Sequence, residues 1–335
     1  AYEQPSLVAS SSGWGEVGET TTEIETEVVV NNPNDGTVGD LVSLAVAQET
    51  HINGVQAASG EGTIDGLDPG NNTLSLVSEF RHDTVPEWWA RHLNRGEEST
   101  VVTATNAAFD SLTDGREHKE KVLIASPAEV GPHSWGEGSW PGYKGIEVPS
   151  HTILDVPYPL HIKDEGGNFI RAIHAKDAEN IEFPTLNIKG NPRYGVWLNS
   201  VKDVRIGHVN VEMENTGEVG LGVRIDQAGD GRSKNVKIES GYVSNSGHHA
   251  FETNGVTRFE AGQLIADDPA NAGLNMDHTI DATIDSVIGQ DPGHPSTYAT
   301  VRLANYCHNV SVGQVVSRGG AKGIMLITAK DASFG

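Results

Sequence analysis

The sequence predicts an all-β chain in two parts, a small β-sandwich followed by a right-handed parallel β-helix. Three observations predict it. An apolar pattern with internal spacing 0, 2, 5, 7 recurs through the second half, beginning at Ile181, Val204, Val236, Thr257, Ala282 and Val310, in steps of 23, 32, 21, 25 and 28 residues. Repeats of that length suit one coil of a solenoid. Each copy is followed or accompanied by a five-residue strand-like stretch: 195–199, 222–226, 249–253, 273–277, 300–304 and 323–327. The first segment instead shows strict alternation, with Thr22, Ile24, Thr26, Val28 and Val30 on one face and Glu23, Glu25 and Glu27 on the other, the period of a half-buried strand.

Composition bounds the function classes. Among 335 residues, 46 are acidic and 23 basic, for a formal net charge of −23, and 39 are glycine. Phosphate backbones would be repelled, so no nucleic-acid partner is expected. No apolar run is long enough for a membrane span. Cys307 is the only cysteine, which excludes an internal disulfide and a cysteine-rich zinc site. Residues 1–110 hold 18 Asp and Glu against three arginines and no lysine, a break that marks a domain boundary near Asp110. An acidic exterior of this kind suits a protein working in concentrated salt, where screening removes self-repulsion. The expected organisation is a sandwich over 1–110, a linker over 111–144 and the β-helix over 145–335.

The sandwich is expected from strands at 20–30, 41–48, 72–80 and 99–105, separated by turn formers such as Asn31-Asn32-Pro33-Asn34, Asn53-Gly54 and Pro69-Gly70. Residues 86–93, containing Trp88 and Trp89, are expected as a short helix whose tryptophans pack a core. Asn31-Asn32-Pro33-Asn34, Pro86-Glu87-Trp88-Trp89 and Gly96-Glu97 resemble the water-stress and hypersensitive-response (WHy) domain of the late-embryogenesis-abundant family, over about residues 6–108. That resemblance implies a non-enzymatic sandwich with binding, protective or structural roles.

In the pentads, strand alternation turns the second and fourth residues inward. Only Glu252 is polar among those twelve positions. The third positions, Trp197, Arg224, Phe251, Asn275, Arg302 and Met325, then form an outward wall beside the fifth positions, Asn199, Asp226, Thr253, Asp277, Ala304 and Ile327. His249 stands at a first position. Asn199, Asn254 and Asn305 near the strand ends are expected as a turn ladder. Aromatic faces stack on sugar rings, and arginine pairs with a sugar carboxylate through a bidentate fork. The wall therefore points to an acidic polysaccharide, bound by Trp197, Asn199, Phe251 and Asn275.

Chemistry on the wall has two readings. Asp226 and Asp277, two coils apart at ~4.8 Å per coil, would lie roughly 9–10 Å apart, close to the ~6.5–9.5 Å of an inverting glycosidase pair. Alternatively, Asp226 and Asp277 would hold calcium against a uronate while Arg224, Arg302 or His249 takes the proton, as in a lyase. A one-residue register error would turn every one of these side chains inward.

The run from Gly145 to Asp155, and Gly273–Thr279 with Tyr298–Asn305, resemble right-handed β-helix proteins of the pectate-lyase and polygalacturonase superfamily, over about 145–335. The resemblance implies an exported, polysaccharide-active solenoid. Its polygalacturonase motif order is not met, since Gly247-His248-His249 precedes Asp267-Asp268, so no family catalytic residue is carried over. The function expected is an exported, salt-adapted surface protein that binds, and on the catalytic readings cleaves, an acidic extracellular polysaccharide. The alternative is a structural subunit of an extracellular fibre, self-associating through an uncapped β-helix end beyond residue 327 and through the WHy-like domain.

Overall fold

The computed structural model describes residues 105, 109, 112, 115–124, 127–130, 143–163, 170–214, 220–229, 231–293 and 298–335, with the backbone of four short strands before residue 57. Those four are β1 Glu27–Val30, β2 Val42–Ala45, β3 His51–Ile52 and β4 Val55–Gln56. β1 and β2, within two stretches expected as sandwich strands, pair antiparallel, and β1 pairs in parallel with residues 121–124, so both belong to the sheet of long strands described below; β3 and β4 pair antiparallel with each other. The other expected sandwich strands, with Trp88 and Trp89, lie outside the described residues.

From residue 120 the strands stack in parallel. β5 Glu120–Ile124 and β6 Ala128–Val130 lead in, then short and long strands alternate. The short ones are β7 Tyr143–Glu147, β9 Ile170–Lys176, β11 Tyr194–Asn199, β13 Leu221–Asp226, β15 Phe251–Asn254, β17 Leu274–Asp277, β19 Val301–Ala304 and β21 Ile324–Leu326. The long ones are β8 Thr152–Ile162, β10 Glu179–Gly190, β12 Lys202–Met213, β14 Ser233–Ser244, β16 Val256–Asp267, β18 Ile280–Gln290, β20 His308–Arg318 and the shorter closing β22 Lys330–Phe334. All short strands form one 8-stranded sheet in the order β21-β19-β17-β15-β13-β11-β9-β7, and the long strands run through a 12-stranded sheet in the same stacking order. Each coil is thus one short and one long strand, and the stack is a parallel β-helix.

The 0-2-5-7 spacing is the signature of a bent long strand. In β10, Ile181, Phe183, Leu186 and Ile188 point inward, and two consecutive part-exposed residues, Pro184 and Thr185, sit between the pairs. Two successive outward residues break the alternation and turn the strand through a corner. The corner row reads Pro184, Gly207, Glu239, Gly262, Asp285 and Gly313, as the flanking registers require. A Cβ on Gly262 would lie 2.2 Å from the Glu239 carbonyl oxygen, so the stack closes there only over a bare Cα.

The fourth repeat copy begins at Phe259, not Thr257: Val236 pairs with Phe259 and Phe259 with Ala282. The inward set is Phe259, Ala261, Leu264 and Ala266. Gly262, read from sequence as inward, is the corner residue. Gly241, a gap in the third copy, is filled by the Phe251 ring, whose Cε1 lies 2.7 Å from where a Gly241 Cβ would be.

A ladder also runs along the start of the long strands. His151, Asn180, Asp203, Asn235, Arg258, Asp281, Asn309 and Asp331 all have φ between 50° and 60°, the left-handed region that Asn and Asp tolerate best. Asn309 Nδ2 donates to Asp281 Oδ1 at 2.8 Å and Asn235 donates to Asp203, so neighbouring coils are tied through their turns. The expected ladder of Asn199, Asn254 and Asn305 is not one row. Asn199 and Asn254 share a row with Asp226 and Asp277, and Asn305 falls one residue beyond it.

Candidate functional site

Register of the short strands decides which side chains share a wall. Trp197 pairs with Arg224, Arg224 with Glu252, Glu252 with Asn275, Asn275 with Arg302 and Arg302 with Met325. Earlier coils extend this row to His174 and Glu147. Beside it run Lys176, Asn199, Asp226, Asn254, Asp277 and Ala304. The expected wall residues Trp197, Asn199, Arg224, Asp226, Asn275, Asp277 and Arg302 are brought together on one face.

Phe251 is not on that face. Val223 pairs with Phe251 and Phe251 with Leu274, so its ring enters the core, and Glu252 takes the place expected for it. Thr253 turns inward as well, where its Oγ1 lies 2.8 Å from Thr279 Oγ1. The slip has a steric cause. The first position of each pentad points at the far end of a long strand: a Cβ on Gly222 would lie 2.5 Å from Val243 Cγ1. That row is held by Gly195, Gly222, Ala250 and Gly273, and then by Thr300, which packs on Gly289, so it takes only small or medium side chains. His249 therefore falls one residue earlier, at the border of the wall. Glu252 as the one polar residue among twelve inward positions was the signal of the slip.

The wall is a polar and aromatic network in which most members are buried. Trp197 Nε1 donates to Asp226 Oδ2 at 3.0 Å, across one coil step. Arg224 holds the same carboxylate in a fork, through Nε to Oδ2 and through Nη2 to Oδ1 at 3.1 Å. Its Nη1 also stands 2.9 Å from Glu252 Oε2, near enough for an ion pair but too poorly aligned for a hydrogen bond. Burial opposes the charge on Arg224, but Asp226 and Glu252 outweigh it and its pKa is raised. Glu252, 8% exposed, has its pKa raised by burial against the pull of Arg224. Asn275 donates to Glu252 Oε1 at 3.0 Å and accepts from Arg302 Nη1 at 2.6 Å.

Aromatic stacking builds the other half. Trp197 stacks on His174 at 4.8 Å and on Tyr194 at 5.0 Å, and Tyr194, Trp197 and Leu221 form an apolar cluster separate from the main core. The Arg171 guanidinium lies 5.2 Å from the Trp197 ring centre, and Arg193 and Arg224 lie 5.5 and 5.9 Å from that of Tyr194. At the other end, His249 meets Tyr298 edge to face at 5.2 Å, and the Arg302 guanidinium lies 5.5 Å from the Tyr298 ring. His249 Nδ1 accepts from the Ala272 N–H at 3.0 Å, which fixes the neutral tautomer with the proton on Nε2. Burial, then His248, Arg302 and Arg224, hold its pKa well below the usual value. Arg171, His174, Tyr194 and Tyr298 lie outside the pentads and carry no repeat signal in the sequence, whereas Glu252 stood out in its pentad but was placed on the inner face.

The fit to calcium is poor. Asp226 has both oxygens on Arg224 and one also on Trp197; Asp277 is held by His278 and by Asn305 Nδ2 at 2.7 Å. Calcium takes 6–8 oxygens, and among the described residues no three His, Cys, Asp or Glu side chains converge. Cys307 is buried, donates to the carbonyls of Met276 and Ala304, and its thiol is pushed up by burial, away from the reactive thiolate. An open groove of about 400 Å³ lies elsewhere, on the corner of the long strands. Glu239, Glu260 and Asp285 line it against the single cation Lys237, which would repel an anionic ligand.

No family model matches the chain, and neither a curated protein nor a solved structure matches it. Among the described residues no helix is long and apolar enough to cross a membrane.

Proposed function

We propose that the chain is an exported, salt-adapted, right-handed β-helix protein that binds an acidic extracellular polysaccharide along the short-strand wall. One observation carries the reading. On a chain of net charge −23, Arg171, Arg193, Arg224 and Arg302 gather on one wall with Tyr194, Trp197 and Tyr298. Guanidinium groups suit a polymer whose substituents are carboxylates, and the part-exposed Tyr298 offers a flat ring beside Arg302, whereas Tyr194 and Trp197 are buried beneath the arginines.

Binding is favoured over cleavage. A catalytic carboxylate must be free to move a proton at the scissile bond, and Asp226 and Asp277 are both engaged by donors of their own chain. Electrophoresis in native gels containing polygalacturonate, alginate or neutral dextran tests this. The acidic polymers are expected to retard the protein and dextran is not, with no unsaturated or reducing ends released. Equal mobility in all three gels would overturn the reading, and product release would restore the lyase or hydrolase.

A further inference from the structure

Arg224 and Arg302 stand in the same row of the wall, with Glu252 and Asn275 between them. Their surroundings differ at two equivalent positions. Two residues along the strand, Arg224 meets Asp226, whereas Arg302 has Ala304. In the next coil, Arg224 meets Glu252, whereas Arg302 has Met325. At these two positions the register gives one guanidinium carboxylates and the other apolar side chains.

Arg302 is left with charge to spare. Its Nη1 donates to Asn275 Oδ1, and its Nε is buried with no hydrogen-bond acceptor. Among the described residues no carboxylate lies within ion-pair distance of it. A part-buried guanidinium without a counter-charge is costly to keep out of water. The Nε–Nη2 edge, which takes a carboxylate through two parallel N–H···O bonds, has no acceptor among the described residues. The neighbouring groups are of the same character. His249 is neutral, with Nε2 as its donor, and packs on Tyr298, over which Arg302 also lies. His248 meets His249 at 4.3 Å and has a buried Nδ1 with no hydrogen-bond partner.

We propose that Arg302, with Tyr298, His249 and His248, forms the subsite that takes the carboxylate of an acidic sugar, and that Arg224 is a structural clamp. This rests on the reading of the wall as a saccharide-binding surface and assigns its anion contact to one residue. The ligand group is a planar carboxylate on a pyranose ring, because the edge left without an acceptor is a two-donor fork with a ring system beside it; Nε is buried in the free chain, so the part-exposed side chain must turn to receive it.

Side-chain ¹⁵N–¹H spectra of the arginine Nε–H groups in the full chain test this. The Arg302 signal is assigned by its loss in Arg302→Lys, and the probes are oligogalacturonate, the neutral galactose oligomer and inorganic sulfate. Oligogalacturonate is expected to shift the Arg302 signal and leave that of Arg224 in place. Arg302→Gln is expected to weaken oligogalacturonate at least tenfold by calorimetry, and Arg302→Lys to weaken it too, since a point charge lacks the fork. If oligogalacturonate binds wild type and Arg302→Gln equally, the subsite is overturned while the wall reading survives. If sulfate shifts Arg302 as readily as oligogalacturonate does, the carboxylate assignment is overturned. If no saccharide binds, both fall.

Discussion

Glu252 Oε1 accepts a hydrogen bond from Asn275 Nδ2 at 3.0 Å inside the outer row of the short-strand sheet, where both residues are buried. Burial raises the pKa of that carboxyl in the folded state, with Arg224 pulling the other way. A pKa raised on folding contributes stability below the unfolded value of about 4.3, and that contribution is lost as pH rises through the folded value. Glu252→Gln keeps the acceptor for Asn275 and removes the charge. Urea unfolding at pH 5 and pH 8 is expected to show a smaller loss toward pH 8 in the variant. A variant that loses more stability than wild type toward pH 8 would mean that the charge paired with Arg224 outweighs its burial.

Arg224 and Arg302 should separate in stability. Arg224→Gln removes the counter-charge of Asp226, a buried carboxylate, and of Glu252, a loss of about 3–5 kcal/mol. Arg302→Gln removes one hydrogen bond, worth about 1 kcal/mol, and relieves an uncompensated charge. Chemical denaturation of the two variants side by side measures the difference. Equal costs would mean that both arginines are structural.

Phe251 tests the register of the third pentad. As a core residue packed on Gly241, Phe251→Ala is expected to cost about 3–5 kcal/mol. A side chain on an open outer wall would change stability by no more than about 0.5 kcal/mol. Thermal melts distinguish the two by a wide margin.

The long-strand coils were legible because their signal is repeated apolar burial, which survives local variation. Val204, Ile206, Val209 and Val211 could be read directly, and they are buried as spaced. The wall was harder. Its outward rows depend on a period of two, so the single step at His249 moved Phe251 and Glu252 to opposite faces. The steric rule that would have prevented this, a small residue wherever a short strand meets the end of a long one, is a contact between strands far apart in sequence. Likewise the corner role of Gly262 depends on the Glu239 carbonyl one coil below. The engagement of Asp226 by Trp197 and Arg224, which removes it as a free base, is a matter of side-chain geometry that spacing does not carry.

Corner and end glycines should respond differently to one added methyl. Gly262→Ala places Cβ against the Glu239 carbonyl at 2.2 Å, a clash that backbone movement must relieve, at about 1–3 kcal/mol. Gly323→Ala has only Ser317 Cβ, at 3.8 Å, and is expected to stay within about 0.5 kcal/mol of wild type. Equal tolerance at both positions, read from denaturant midpoints, would mean that the corner is looser than its packing implies.

Deuterium uptake with and without polygalacturonate locates the bound polymer on the molecule. Protection is expected in peptides covering the short strands and their flanks, 194–199, 221–226, 248–254, 274–277 and 298–304, with 256–267 on the long-strand sheet unchanged. Protection confined to the long-strand face, or no protection anywhere, would contradict an acidic saccharide bound along this wall.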